Sequence, residues 1–165
     1  NPGKGLSWFR DTGYAQLIEE IAKTEGFKPI AVIFNLGVND LGNAGNYVSY
    51  MTSIASTLKS KNCKLFYMSV NPINSTMITK SGRGARTEAQ VREFNSKIRS
   101  GLSLDYKYID MYSVLMKKGY GTNASYNGTD ADSDDGLHYT TKTFKRIYYY
   151  CITYLNTGSI NASYY

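Results

Sequence analysis

Residues Pro29 to Asp40 read PIAVIFNLGVND, and this stretch decides the fold. Ala31 to Leu36 is an almost unbroken apolar run centred on Val32, Ile33 and Phe34. A run of that length and composition predicts a strand buried on both faces, as in the middle of a parallel sheet. It ends abruptly in Gly37-Val38-Asn39-Asp40. In open α/β sheets, ligands bind just beyond the carboxyl ends of the strands. A glycine, an amide and a carboxylate therefore arrive together where chemistry is expected. The same four residues also read as ordinary turn chemistry after a strand, so the stretch alone does not assign a function.

A second landmark lies near the other end of the chain. Asp135-Gly136-Leu137-His138 precedes the last helical pattern, and His138 is the only histidine among the 165 residues. An aspartate three residues before a histidine can sit under the imidazole and accept its Nδ1 proton. That fixes the tautomer and leaves Nε2 to act as a base toward a serine. A lone histidine is also commonly a satisfied surface or core residue, and D-x-x-H by itself is a weak signal.

Between these landmarks the chain alternates. Asp11 or Thr12 could cap a helix with Tyr14, Leu17, Ile18 and Ile21 on one face, closed by Gly26. The strand follows from Pro29. LGNAGN then turns the chain into a helix marked by Tyr47, Tyr50, Met51, Ile54 and Leu58. Lys64 to Val70 predicts a second buried strand, ending at Asn71-Pro72. Ile73 to Ala85 reads as a long polar loop carrying Lys80 and Arg83, of the kind that shapes a pocket or simply stays solvated. Val91, Phe94, Ile98 and Leu102 mark a third helix, Tyr106 to Met111 a third strand, and Ser113 to Leu115 a short helical turn. Gly119 to Asp134 is polar. Thr140 or Thr141 caps a final helix with Phe144, Ile147, Tyr148, Cys151 and Leu155 expected inward, and residues 156–165 form a tail. Such alternation predicts one three-layer α/β/α domain over residues 1–155 with a parallel sheet.

Composition narrows the class. A hydrophobic fraction of 42% and a charged fraction of 19% are globular values, and 165 residues suffice for one domain with a sizeable core. No apolar run approaches the roughly 20 residues that cross a bilayer. The net charge of +6 is a modest excess that serves solubility or attracts acidic surfaces. No helix-turn-helix, zinc-finger or RNA-binding signature is present, so nucleic acid is not an expected partner. Cys63 and Cys151 make neither a disulfide framework nor a metal site; two buried thiols are expected, with a single bridge left open. The start at Asn1 reads as a processed or truncated end. The sixteen tyrosines should pack with their hydroxyls at the surface.

The two landmarks, in this order and at these positions, resemble the SGNH hydrolases, the GDSL-type esterases and lipases. Gly37-Val38-Asn39-Asp40 is similar to that family's G-x-N-D block and Asp135 to His138 to its D-x-x-H block. Gly3-Lys4-Gly5 is similar to the remainder of its glycine block. LGVNDL, SVNP at Ser69 to Pro72, and DGLHYT together resemble one bacterial branch. The resemblance spans essentially the whole chain. It implies the flavodoxin-like fold of the family and hydrolysis of a small acyl ester, among them an acetyl group on a carbohydrate. It implies His138 as base, Asp135 as its orienting acid, and Asn39 with the Gly5 N–H as oxyanion donors. Gly37, Asp40, Trp8 and Asn71 would support the loops or line the substrate site. No metal or organic cofactor is implied, and secretion or a bacterial cell surface follows from family habit.

One block of the family is missing from the text. The family's nucleophile sits in Gly-Asp-Ser at the end of a strand upstream of the glycine block, and no Gly-Asp-Ser occurs here. The expectation is that the leading strands and the serine are supplied from upstream of Asn1, by the same chain or another polypeptide. Ser7 is a weaker stand-in. The competing readings are a non-catalytic module that binds a glycan or a partner through the same cleft, and an inactive fragment.

Other motifs fail on spacing. Asp130, Asp132 and Asp134 have the odd spacing of a calcium loop, but glycine falls one residue late and position twelve is Thr141. Gly3-Lys4-Gly5 lacks the third glycine of a dinucleotide fingerprint. The sequons at Asn74, Asn123, Asn127 and Asn161 are common by chance in so Asn- and Ser-rich a chain.

Overall fold

A computed structural model describes residues 3–24, 26–27, 29–120 and 135–160. The polar stretch 121–134, with the spaced aspartates up to Asp134 and the sequons at Asn123 and Asn127, lies outside the described residues, as does Asn161. The protein is α/β, with a parallel three-stranded sheet and helices, consistent with a flavodoxin-like SGNH fold. The strands are β1 (Ile30–Phe34), β2 (Cys63–Met68) and β3 (Tyr106–Ile109), in the order β1-β2-β3. β1 and β2 run parallel in the register Ile30↔Cys63 to Phe34↔Tyr67.

The strand buried on both faces is β2, not β1. In β2 only Lys64 is exposed, whereas in β1 Ala31 is exposed, Ile30 and Ile33 are half-buried, and Val32 and Phe34 are buried. Among the described residues β1 pairs on one side only, with β2, and it ends two residues earlier than the apolar run suggests. Asn35 continues the pairing by side chain, its Nδ2 donating to the Ser69 carbonyl at 2.9 Å.

The chain divides into two compact units, residues 1–70 with 93–108, and residues 71–92 with 109–165. The first unit holds the sheet, apart from the last residue of β3, and three helical segments at its start. These are α1 (Leu6–Trp8), a π-helical turn (Phe9–Gly13) and α2 (Tyr14–Lys23). The helix thus begins well before Asp11 and Thr12, which cap nothing; Asp11 instead pairs with Arg10. A Cβ on Gly13 would lie 2.8 Å from the Phe9 ring and 2.9 Å from the Trp8 ring, so this wider turn needs glycine where it closes on the two aromatics. A 3₁₀ turn (Leu41–Asn43) leads into α3 (Ala44–Ser60), which buries Tyr47, Met51, Ile54, Ala55 and Leu58, as its spacing predicts. Phe9 sits edge-on to Phe34 and Tyr50 at 5.7 and 6.0 Å between ring centroids.

The second unit contains α4 (Ser75–Lys80), α6 (Met111–Lys117) and α7 (Thr141–Thr157); α5 (Glu88–Gly101) begins in it and continues into the first. α4 falls inside the expected loop. Its helix is licensed by a cap: Asn74 Oδ1 accepts from Met77 N at 3.0 Å. α7 starts at the expected threonine, with Thr140 as N-cap, and ends at Gly158 in the left-handed conformation. Its buried stripe is Thr143, Ile147, Tyr150 and Cys151. Phe144 and Tyr148, expected inward, are 54% and 61% exposed. Cys63 and Cys151 are both buried free thiols. No helix among the described residues is long and apolar enough to cross a membrane.

Candidate active site

The loop after β1 is built on glycine and carboxylate geometry. Gly37 has φ +121°, and a Cβ there would lie 2.2 Å from the ring of Phe94. Phe94 is fully buried and edge-on to Tyr47 at 5.3 Å. Only glycine can turn the chain at that distance from the ring. Two residues later, Asn39 Nδ2 donates to the Lys4 carbonyl at 2.9 Å. Asp40 closes the loop: its Oδ2 accepts from Leu6 N at 2.9 Å and its Oδ1 from Tyr47 Oη at 2.5 Å. Burial, and then the neighbouring Asp40 carboxylate, hold the Tyr47 phenol well above its ordinary pKa, so it stays a donor.

Gly3-Lys4-Gly5 and Gly37-Val38-Asn39-Asp40 are thereby laced together inside the first unit. Gly5 is the residue that allows it, since a Cβ there would lie 2.5 Å from Asp40 Oδ2. Its N–H has no acceptor among the described residues. Trp8 follows, half-buried and packed beside Gly13.

Asp135 and His138 lie in the second unit. Asp135 Oδ1 accepts from two successive backbone amides, Leu137 N at 2.9 Å and His138 N at 2.8 Å. Oδ2 stands 2.7 Å from His138 Nδ1. Only 12% of the Asp135 side chain is exposed, against 49% for His138. Burial raises the Asp135 pKa, but the hydrogen bonds from the His138 ring and the two amides outweigh it and bring it down to about 2. Asp135 is therefore ionised at neutral pH, and an ionised carboxylate on Nδ1 directs the neutral imidazole to carry its proton there.

The turn bearing the pair is seated on α4. Asn74 N donates to the Gly136 carbonyl at 2.8 Å, and Ser81 Oγ to the Asp135 carbonyl at 3.1 Å. Gly136 has φ +81°, and a Cβ on it would meet the Asn74 carbonyl at 2.6 Å. Tyr139, just after the histidine, is buried and donates to the Pro72 carbonyl at 2.5 Å. Arg83 Nε pairs with Asp135 Oδ2 at 3.0 Å. The sequence placed Arg83 in a pocket-forming or solvated loop; its contact with the acid of the pair spans a separation no local spacing reports. Asn71, also in this unit, is half-buried, and its Oδ1 is buried without a donor among the described residues. No group of His, Cys, Asp and Glu among the described residues could hold a metal ion.

The structure thus brings Gly5, Asn39 and Asp40 together in one unit and Asp135 and His138 together in the other. The chain matches the GDSL-like Lipase/Acylhydrolase family over residues 2–150, and it belongs to that family. Esterase- or lipase-type hydrolysis is the chemistry this membership supports. No curated protein matches the chain.

Proposed function

We propose that the protein is a serine esterase acting on a small acyl ester, with His138 as the general base, Asp135 as its orienting acid, and the nucleophilic serine contributed from outside residues 1–165. The observation that carries this reading is the 2.7 Å contact between His138 Nδ1 and Asp135 Oδ2, with Oδ1 occupied by two backbone amides. A carboxylate held at both oxygens cannot rotate away, so the imidazole plane is fixed with it.

In the reaction the serine Oγ attacks the acyl carbon while its proton passes to His138 Nε2. The carbonyl π electrons move onto oxygen, where the Asn39 side-chain amide and the Gly5 N–H would donate to the developing charge. Collapse breaks the bond to the alcohol oxygen, which takes the proton from Nε2. Water then repeats the sequence on the acyl-serine and releases the acid. Asp135 stabilises the imidazolium in both halves. That β1 pairs only with β2 among the described residues supports a further strand that pairs with it and delivers the serine, since an unpaired apolar edge is otherwise an aggregation hazard.

The test is hydrolysis of p-nitrophenyl acetate by the protein expressed from its full reading frame. The native protein should turn over, and His138→Ala should lose at least about a thousandfold in kcat, as expected for a base acting with its nucleophile as a unit. Equal rates in the two proteins would refute the assignment. No turnover in either, with sugar or protein binding retained, would favour the non-catalytic module.

A further inference from the structure

Asp135 is gripped twice from the end of one helix. α4 stops at Lys80, and the chain closes it with the two hydrogen bonds of a Schellman motif. Gly82 N donates to the Thr79 carbonyl at 3.3 Å, and Arg83 N to the Ile78 carbonyl at 3.1 Å. Gly82 supplies the left-handed residue that the motif needs, at φ +70°. The Arg83 carbonyl accepts from Arg86 Nη1 at 2.5 Å. The backbone of Arg83 is thus held at its amide and at its carbonyl, and its side chain starts from a fixed point.

From that point Arg83 Nε stands 3.0 Å from Asp135 Oδ2, the oxygen that also faces His138 Nδ1 at 2.7 Å. Two residues earlier, Ser81 Oγ donates to the Asp135 carbonyl at 3.1 Å. Ion pairs between exposed side chains contribute little. This one differs on the acid's side, where the carboxylate is 12% exposed against 56% for the arginine. A carboxylate oxygen has two lone pairs, so Oδ2 can serve the imidazole and the guanidinium at once. Two backbone amides fix Oδ1. For Oδ2, the imidazole is both a partner and the group to be oriented, and that contact loosens whenever the ring moves. Arg83 holds Oδ2 from a separate element.

We infer that Arg83 is a positioning residue of the Asp135–His138 pair, fixing Asp135 Oδ2 from the end of α4 so that the imidazole keeps one orientation while Nε2 takes and returns the proton. The effect on turnover rests on the hydrolase reading; the hold on the pair does not. Lysine at 83 keeps the charge but has no planar Nε–H at that place on the stem, so it should restore the hold only in part.

The test reads the pair itself as well as the rate. The protein expressed from its full reading frame is labelled with ¹⁵N-histidine, and the Nδ1–H signal of His138 is assigned by its absence from His138→Ala. Exchange of that proton with water reports how firmly the contact to Oδ2 is kept. In Arg83→Gln, with unchanged circular dichroism, the Nδ1 proton should exchange roughly three- to tenfold faster. The kcat for p-nitrophenyl acetate should fall by a similar factor with KM unchanged, the range for losing one charge-assisted contact to a half-exposed partner. Arg83→Lys should fall between Arg83→Gln and the native protein in both readouts. A native exchange rate in Arg83→Gln would overturn the inference; a loss of kcat alongside it would mean that Arg83 meets the substrate directly. Faster exchange in Arg83→Gln, in a protein whose native form hydrolyses no ester, would leave the hold on the pair standing and refute the hydrolase reading instead.

Discussion

Replacing Asp135 by asparagine should remove a pH-dependent part of the protein's stability. The variant keeps the size of the side chain and one carbonyl oxygen, but its amide nitrogen cannot accept from His138 Nδ1 or Arg83 Nε. In the native protein the Asp135 pKa falls from 3.8 to about 2. The folded pKa is the depressed one, so the stabilisation is fully present above pH 3.8 and is lost as pH falls through 2. At 1.36 kcal/mol per unit, the shift corresponds to about 2 kcal/mol, and the side chain is only 12% exposed, so little of it is screened by solvent. Urea unfolding followed by circular dichroism at pH 5, 3.5 and 2 would measure it in both proteins. Groups other than the substituted one titrate alike in the two to first order, and the difference isolates Asp135. With a slope of about 2 kcal/mol/M, the gap between the unfolding midpoints should narrow by about 1 M urea from pH 5 to pH 2. A gap that stays constant over that range, or widens toward acid, would refute the reasoning.

Three further outcomes follow from the same geometry. Gly37→Ala should destabilise the protein by about 3 kcal/mol or more, because it adds left-handed strain to an overpacked contact with Phe94; thermal unfolding checks this, and Phe94→Leu in the same chain should recover part of the loss. Asn95 is buried and clamps Val70 at both backbone atoms, accepting from its N at 2.8 Å and donating to its carbonyl at 2.9 Å. Asn95→Leu should strand both groups at a cost of about 2–5 kcal/mol, read as a lowered urea midpoint. Asn39→Ala in the full-length protein should lower kcat roughly 100- to 1,000-fold with the fold intact; an unchanged kcat would remove Asn39 from the oxyanion site.

What the sequence disclosed depended on how local each feature is. The Asp135–His138 pair was legible because its geometry is contained in four residues with an Asx-like turn. The G-x-N-D loop was legible as a strand end, but the reason for Gly37, a phenylalanine 57 positions away, was not. The apolar run of β1 reads as buried on both faces, whereas Ala31 is exposed and Ile30 and Ile33 are half-buried; how much of a strand is covered depends on its neighbours, which the one-dimensional pattern does not record. In α7 the abundance of tyrosine blurred the helical face: Tyr148 and Tyr150 fit different stripes about equally, and the buried one is Tyr150. α4 was hidden in a polar segment whose helicity comes from the Asn74 cap and from the turn it supports, rather than from an apolar stripe.

The proposed mechanism requires His138 to activate a serine outside residues 1–165. Fluorophosphonate labelling of the protein expressed from its full reading frame, followed by peptide mass spectrometry, tests it most directly. Labelling should give a single serine adduct upstream of Asn1 that disappears in His138→Ala. An adduct on Ser7, or one that persists unchanged in His138→Ala, would contradict it.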